Sequence, residues 1–561
     1  MVKPLSEDAI ANRFVVTEED SNGVLRKITF KNDKDFNFAY DVIDELAKKC
    51  PNKLAMLHIS NKKEERRFTF QDISEYSSKT ANYFKSLGIR KGDKVMLVLK
   101  RHYQYWLCMM ALHKLGAVAI PASNLLVEQD YEYRFKAAEV HYIIATDNDQ
   151  VPDAIDTADK EVHMLKEKII VGESREGWHN FDEEMEGFSN VFERPQTEEE
   201  KTHGDDISVM MFTSGTTIHA KLAAHNFRYP LGHYVTARYW NQVDPDGLHL
   251  TVSDTGWAKA MWGKLYGQWL CEAALFVYDF DTFNAKEILQ MVEKYHITTF
   301  CAPPTMYRVM IRMNLSEFDL SSIQHVSTAG EALNSEVFQQ FKKATGHMIY
   351  EGYGQTETTM VLGTIYGDEP KPGSMGKPNP LYDVAIMRRD GSMCEVGEPG
   401  EIVIRTVDGA PNGLFIGYYN DEEKTKQQWY DGYYHTGDQA RWDEDGYLWY
   451  EGRIDDLIKA SGYRVGPFEI ESELMKLPFV LECAVTSVPD KTRGQAIKAS
   501  IVLTKGALAT EKLKKEVFSY INKNLASYKR PRLVEFVKDL PKTTSGKIKR
   551  VEIRKHDWTP E

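Results

Sequence analysis

From Phe36 onward the chain alternates short apolar runs with longer stretches whose apolar residues recur every third or fourth position. Residues 38–47 carry helical spacing, and a longer helical pattern begins at Tyr103. The runs at 94–99, 117–120, 142–145, 169–171, 209–212, 275–277 and 298–300 are of strand length and lie between those helical stretches. Strands and helices in such alternation predict an α/β fold with largely parallel sheets. Residues 1–35, polar and charged, are expected to form a surface lead-in. After Gly373 the texture changes. Turn pairs crowd in at Asp390-Gly391, Pro399-Gly400, Asp408-Gly409, Asn412-Gly413, Asp431-Gly432 and Asp445-Gly446, which predicts a subdomain of hairpins. Beyond Arg453 a small α/β unit returns, with helices expected near 468–475 and 511–525 and strands near 483–488 and 499–503. The expected fold class is therefore α/β. It has a large N-terminal body of two α/β subdomains plus a β-rich subdomain (about 373–454), and a small mobile C-terminal α/β domain. The domain limits are 1–35, 36–454 and 455–561.

Charge narrows the function. Among 561 residues, 83 acidic side chains outnumber 70 basic ones, a formal charge of −13, so nucleic acid is not an expected partner. The six cysteines include no CxxC pair and no zinc spacing. They read as reduced thiols of a cytoplasmic protein. The first residues lack the apolar core of a signal peptide. The most apolar stretch, 105–126, is broken by His113, Lys114 and Pro121, so no membrane span is expected. Oligomeric state is not legible.

Four motifs carry chemistry. Met210-Met211-Phe212-Thr213-Ser214-Gly215-Thr216-Thr217, followed by Lys221, sends an apolar strand into a hydroxyl-rich turn. Hydroxyls and free backbone N–H groups suit phosphate oxygens, though a plain Ser/Thr turn reads the same way. It is not a Walker loop, because Ala220 precedes Lys221. In Tyr350-Glu351-Gly352-Tyr353-Gly354-Gln355-Thr356-Glu357-Thr358 a carboxylate beside a hydroxyl suits phosphate held together with Mg²⁺. In Tyr434-His435-Thr436-Gly437-Asp438 and Gly452-Arg453 the aspartate can accept ribose hydroxyls, and the arginine offers forked donors. The fourth, Leu540-Pro541-Lys542-Thr543-Thr544-Ser545-Gly546-Lys547, ends on a lysine that alone would be a solvated tail charge.

Taken in this order, the four motifs make the chain resemble the adenylate-forming (AMP-binding) superfamily, and within it the medium-chain acyl-CoA synthetases. Ser253-Asp254-Thr255-Gly256-Trp257 and Ser461-Gly462-Tyr463-Arg464 add to the likeness, which runs from about Phe36 to Arg550. The resemblance implies ATP-dependent adenylation of a carboxylic acid, release of pyrophosphate, and transfer of the acyl group to CoA. It implies that Thr213, Ser214, Gly215, Thr216, Thr217 and Lys221 hold the outer phosphates. Gly330, Glu331 and Ala332, with Glu351, Gly352 and Tyr353, would frame adenine, and Gly354 and Gln355 lie in the same nucleotide segment. Thr356 would meet the α-phosphate and the acid, Glu357 would hold Mg²⁺, and Asp438 with Arg453 would hold the ribose. Asp455 matches the hinge, and Lys547 the lysine that neutralises the transferring groups. Ser461, Gly462, Tyr463 and Arg464 would line the pantetheine path, and Arg493, Arg530 and Arg532 would meet CoA phosphates. Trp257, Lys259, Trp262 and Gly354 would form the acyl pocket, the glycine leaving it open for acids larger than acetate. ATP, Mg²⁺ and CoA are thus the expected small molecules.

The sequence departs from the family pattern where the loop reads Thr217-Ile218-His219-Ala220-Lys221, without the usual Gly and Pro. A β-branched residue in a glycine's conformation would store about 1–3 kcal/mol. Leu125 stands where several relatives have a polar residue near CoA. Two alternatives remain open at this level: transfer to a carrier-protein thiol, and nucleotide binding with impaired catalysis.

Overall fold

The computed structural model describes the chain except residues 1–2, 149, 214–219, 461–462, 491–493, 544–545 and 559–561. Two large sheets form its body. In the first, the strands run Gly417–Tyr418, Leu222–Asn226, Ile207–Phe212, Val118–Pro121, Lys94–Val98, Tyr142–Thr146, Glu167–Val171 and His179–Asn180. Pairing is parallel from Ile207–Phe212 to the far edge and antiparallel at Leu222–Asn226. The second sheet has at its centre Ile349–Tyr353, His325–Ala329, Thr299–Cys301, Leu248–Thr251, Ala274–Tyr278 and Leu54–Ile59, all parallel. These strands read as near-continuous apolar runs because both faces of a parallel sheet are covered.

The helix Gln104–Leu115 is buried along its whole length. Its cluster joins apolar side chains of both sheets, Leu97 from the first and Met56 and Leu275 from the second. The charges that interrupt this apolar stretch are paired inside. Lys114 Nζ donates to Asp44 Oδ1 (2.9 Å), Ser78 Oγ (2.8 Å) and the Ser74 carbonyl (3.2 Å), using all three of its protons. No helix among the described residues is long and apolar enough to cross a membrane.

The hairpin region expected after Gly373 is present. Gly400–Arg405 pairs with Val384–Met387 and Tyr433–Trp442, and Leu448–Arg453 pairs back onto Tyr433–Trp442. Beyond it, the strands Val480–Asp490, Gly494–Leu503 and Leu533–Val537 form a separate three-stranded sheet. The helices Pro467–Leu474 and Arg550–Trp558 lie against its Val480–Asp490 strand, and Glu511–Asn524 adds the apolar Val517 and Ile521 to the same core.

One expectation is corrected. Residues 1–35 are not merely a surface lead-in. Val15–Glu19 and Leu25–Phe30 form an antiparallel hairpin, and Ile10, Ala11, Phe14, Leu25 and Ile28 enter the main core. The Ile10 N–H donates to Glu272 Oε1 at 3.1 Å. An amphipathic hairpin needs only every second residue apolar, so its buried face was hidden in a charged average.

Candidate active site

The carboxyl ends of parallel strands are the usual crevice of an open α/β sheet, and here they face a cavity of about 750 Å³. Thr213 and Lys221 reach it from the two arms of the hairpin that joins Ile207–Phe212 to Leu222–Asn226. The Thr213 N–H donates to the Lys221 carbonyl at 2.8 Å, closing the base of that loop. Gly330, Glu331 and Ala332 follow the strand His325–Ala329, and Glu351 to Glu357 run off the end of Ile349–Tyr353. Asp438, Arg453 and Asp455 come from the β-rich sheet and its exit. Lys542, Thr543, Gly546, Lys547 and Arg550 line the same space from the C-terminal unit. Four motifs far apart in sequence therefore share one cavity.

Asp438 is the best-held group. Tyr353 Oη and Gln355 Nε2 each donate to its Oδ2 at 2.6 Å, and Tyr450 Oη donates to Oδ1 at 3.1 Å. Arg453 Nη1 lies 3.7 Å from Oδ2 and donates to the Thr436 carbonyl at 3.0 Å, while its Nε donates to Asp455 Oδ1 at 3.3 Å. Burial would lower the Arg453 pKa, but the carboxylates of Asp438 and Asp455 outweigh it and raise it. Gly437, at φ +72°, lets this arginine approach, since a Cβ there would sit 3.0 Å from Nη2.

Glu357 is buried and accepts a hydrogen bond from Tyr418 Oη at 2.7 Å. Lys221 Nζ lies 4.8 Å from the centre of the Tyr418 ring and donates to Gln428 Oε1 at 3.1 Å. Burial lowers its pKa against the pull of Glu357. Glu351 is buried with the Leu333 N–H as donor at 3.0 Å, and burial lifts its carboxyl to about 8. Arg308 Nη2 donates to Glu331 Oε2 at 3.2 Å.

The residues expected to form the acyl pocket divide. Gly354 lines the cavity. Trp262 is buried against it: a Cβ on Gly354 would lie 2.5 Å from Trp262 Cη2 and from the Thr359 carbonyl. Gly352, two residues earlier and on the same face, meets Trp240 in the same way at 2.7 Å. The missing side chain leaves room that the Trp262 indole fills. Lys259 Nζ donates to the Ala329 carbonyl at 2.8 Å, its pKa lowered by burial, and Trp257 is half-buried at the start of the helix Ala258–Gly263.

Two of the residues expected to meet CoA phosphates, Arg530 and Arg532, are not among those lining this cavity. Arg530 donates to the carbonyls of Leu525 (2.9 Å) and Asn522 (2.8 Å), and Arg532 to that of Ser527 (3.4 Å). Tyr463 and Arg464 begin the strand Tyr463–Val465, paired with Ile458–Ala460. Ser214, Gly215, Thr216 and Thr217, with the Ile218 departure, lie outside the described residues, as do Ser461, Gly462 and Arg493. Sequence reading missed Tyr418, Gln428, Tyr450 and Trp240, because a lone aromatic or amide carries no spacing signal.

Comparison with known proteins decides the family. The AMP-binding enzyme model matches residues 43–419, and its C-terminal domain model matches 469–547. The chain belongs to the AMP-binding enzymes, among the acyl-coenzyme A synthetases. It is thus an acid–thiol ligase. It is 38% identical over 569 aligned positions to human acyl-coenzyme A synthetase ACSM3, mitochondrial, covering 99% of this chain and 95% of that one. It is also 38% identical to rat acyl-coenzyme A synthetase ACSM4, mitochondrial, covering 94% and 91%. Among solved structures it resembles the anthranilate CoA ligase AuaEII in complex with anthranoyl-AMP. There the TM-score is 0.85 and the identity 28%, over 93% of this chain and 97% of that one. The expected cytoplasmic location is overturned, because these curated relatives are mitochondrial proteins. Cysteine spacing without disulfide or zinc patterns does not tell the cytosol from another compartment.

Proposed function

We propose that ATP and a carboxylic acid larger than acetate (medium-chain, branched or aromatic) meet in this cavity to form an acyl-adenylate, which CoA then converts to the thioester. The observation that carries the reading is the convergence of Thr213, Lys221, Glu357, Asp438, Arg453 and Lys547 on one space. The relative at 28% identity that binds anthranoyl-AMP supports it.

In the first half-reaction the carboxylate oxygen bonds to the α-phosphorus and pyrophosphate leaves. In the second, the CoA sulfur bonds to the acyl carbon and the C–O bond to AMP breaks. A free acid would have to expel oxide, whereas a mixed anhydride expels AMP. Two anions must be brought together first, so the protein's work is charge neutralisation and orientation. Lys547 would neutralise the carboxylate and α-phosphate, and Lys221 the outer phosphates. Asp438 keeps a second acceptor site on Oδ1 for a ribose hydroxyl, beside Arg453. Gly330–Ala332 and Glu351–Tyr353 would bound adenine. Glu357 suits Mg²⁺, which takes one or two carboxylates plus phosphate oxygens: Tyr418 occupies Oε1 and leaves Oε2 for the ion, whose charge would shield the phosphates. Rotation of the unit beyond Asp455 would exchange the Lys547 segment for Ser461–Arg464. Arg493, Arg530 and Arg532 would then serve the CoA phosphates.

Pyrophosphate release from ATP and Mg²⁺ with a panel of short- to medium-chain and aromatic acids, with and without CoA, tests the reading. Release with an acid larger than acetate, and acyl-CoA formed once CoA is added, is the expected result. ATP binding with no release for any acid would overturn it.

A further inference from the structure

Thr356 and Glu357 follow a strand of the second sheet, yet they are held by donors from the last two strands of the first sheet and the segment leading into its edge. His225 Nε2 lies 2.8 Å from the Thr356 carbonyl, the Phe415 N–H donates to the Glu357 carbonyl at 2.7 Å, and Tyr418 Oη donates to the Glu357 carboxylate at 2.7 Å. His225 sits in Leu222–Asn226, the strand that leaves the loop after Thr213. That strand pairs on one side with Ile207–Phe212, which enters the loop, and on the other with Gly417–Tyr418, which carries Tyr418. A carbonyl can only accept, so Nε2 carries the ring proton. The imidazole is fully buried, its centroid 4.0 Å from the Tyr229 ring, and Nδ1 meets no hydrogen-bonding group among the described residues. Burial accordingly holds its pKa down at about 4. The ring is a neutral donor of fixed tautomer across the working pH range.

We propose that His225 is a positioning residue: its Nε2–H bond to the Thr356 carbonyl, with the Tyr418 bond to Glu357, fixes the Thr356–Glu357 turn in register with Thr213 and Lys221, which flank the two paired strands. Both halves of the ATP site then descend from the same two paired strands. Reading the turn as the α-phosphate and Mg²⁺ site rests on the function proposed above; the clamp itself rests on the three bonds. A histidine that merely fills the core would tolerate an isosteric ring. One that positions through its N–H would not, but would tolerate another donor at the same place.

The test uses full-length His225→Phe, His225→Gln and Tyr418→Phe, with ATP affinity measured by calorimetry in Mg²⁺ and adenylation by pyrophosphate release. In His225→Gln the amide nitrogen falls where Nε2 sits. The Phe variant is expected to weaken ATP binding about tenfold, the loss of one buried hydrogen bond, and to slow adenylation at saturating ATP by at least as much. The Gln variant should recover most of both, and Tyr418→Phe should show a smaller loss of the same kind. Wild-type ATP affinity in His225→Phe, or equal losses in His225→Phe and His225→Gln, would overturn the proposal. Because affinity is read without turnover, a wild-type chain that binds ATP and releases no pyrophosphate would overturn the catalytic reading and still leave this one decided.

Discussion

At the residue scale the site is a set of charges whose neighbours decide their state. Lys547 is exposed enough to be an ordinary lysine in sequence and reaches the cavity only through the fold. Lys547→Ala is expected to abolish acyl-AMP formation and largely spare thioester formation from supplied acyl-AMP, with each half-reaction assayed separately; equal loss of both would reject that role. Glu351 makes a prediction about stability. Its carboxyl moves from the ordinary 4.5 to about 8 on folding, so the folded chain holds a proton that the unfolded chain releases. Below about 4.5 both states are protonated and the group costs nothing. As pH rises from there through about 8 the unfolded state is increasingly favoured. Glu351→Gln keeps an acceptor for the Leu333 N–H and removes the ionisation. Its unfolding midpoint should match wild type near pH 4 and exceed it at pH 8, and a constant difference across that range would reject the assignment.

At the element scale most of the α/β alternation was legible, because buried parallel strands are short apolar runs and hairpins need Gly and Asp at their turns. The strand expected at 94–99 is Lys94–Val98, and the helix expected from 511 is Glu511–Asn524. The N-terminal hairpin was not legible, because one apolar face among charged residues lowers the local signal below that of a loop. Nor was the role of Arg550. At the start of the C-terminal helix it donates to Glu471 from Nη2 (2.7 and 2.8 Å) and from Nε (3.2 Å), and lies 3.7 Å from Asp456, which Arg554 Nη1 also reaches at 2.6 Å. Glu471 is buried and has no other cation within salt-bridge distance among the described residues, so removing Arg550 strands its charge in the interior. Arg550→Met should cost about 3 kcal/mol in the C-terminal unit and speed amide hydrogen exchange in the helix Arg550–Trp558. Unchanged exchange there would show that the pair holds nothing.

At the scale of the whole molecule, Lys547 shares a cavity with Asp438 and Glu357, while Arg530 and Arg532 bond to carbonyls of their own unit. Asn334 of the body donates to the Ser472 carbonyl of the C-terminal unit at 3.2 Å, so the two are in contact in this arrangement. Asn334→Cys with Ser472→Cys, joined by a short bifunctional thiol reagent, should keep adenylation and reduce thioester formation at least tenfold relative to the unlinked double variant. Unimpaired thioester formation in the linked protein would rule out rotation as a requirement. The half-buried Cys50 and Cys394 call for the same reagent on the parent chain as control.

The amino-acid sequence by itself pointed to adenylate-forming chemistry and left the acceptor of the acyl group open. Thr356-Glu357, Asp438, Arg453 and Lys547 are recognisable because the turns and strands that carry them follow one another in an order that resembles the AMP-binding enzymes. It also determined the class of fold, since apolar periodicity is a local property. Only the tertiary structure decided how those turns meet. Trp262 closing over Gly354, Tyr418 on Glu357 and His225 on the Thr356 carbonyl are contacts between residues far apart in the chain. A lone tryptophan, tyrosine or histidine looks the same whether it fills a core or holds a site. What distinguishes them is the direction of one N–H or O–H, or the room beside one glycine, and direction and room exist only once the two sheets have packed.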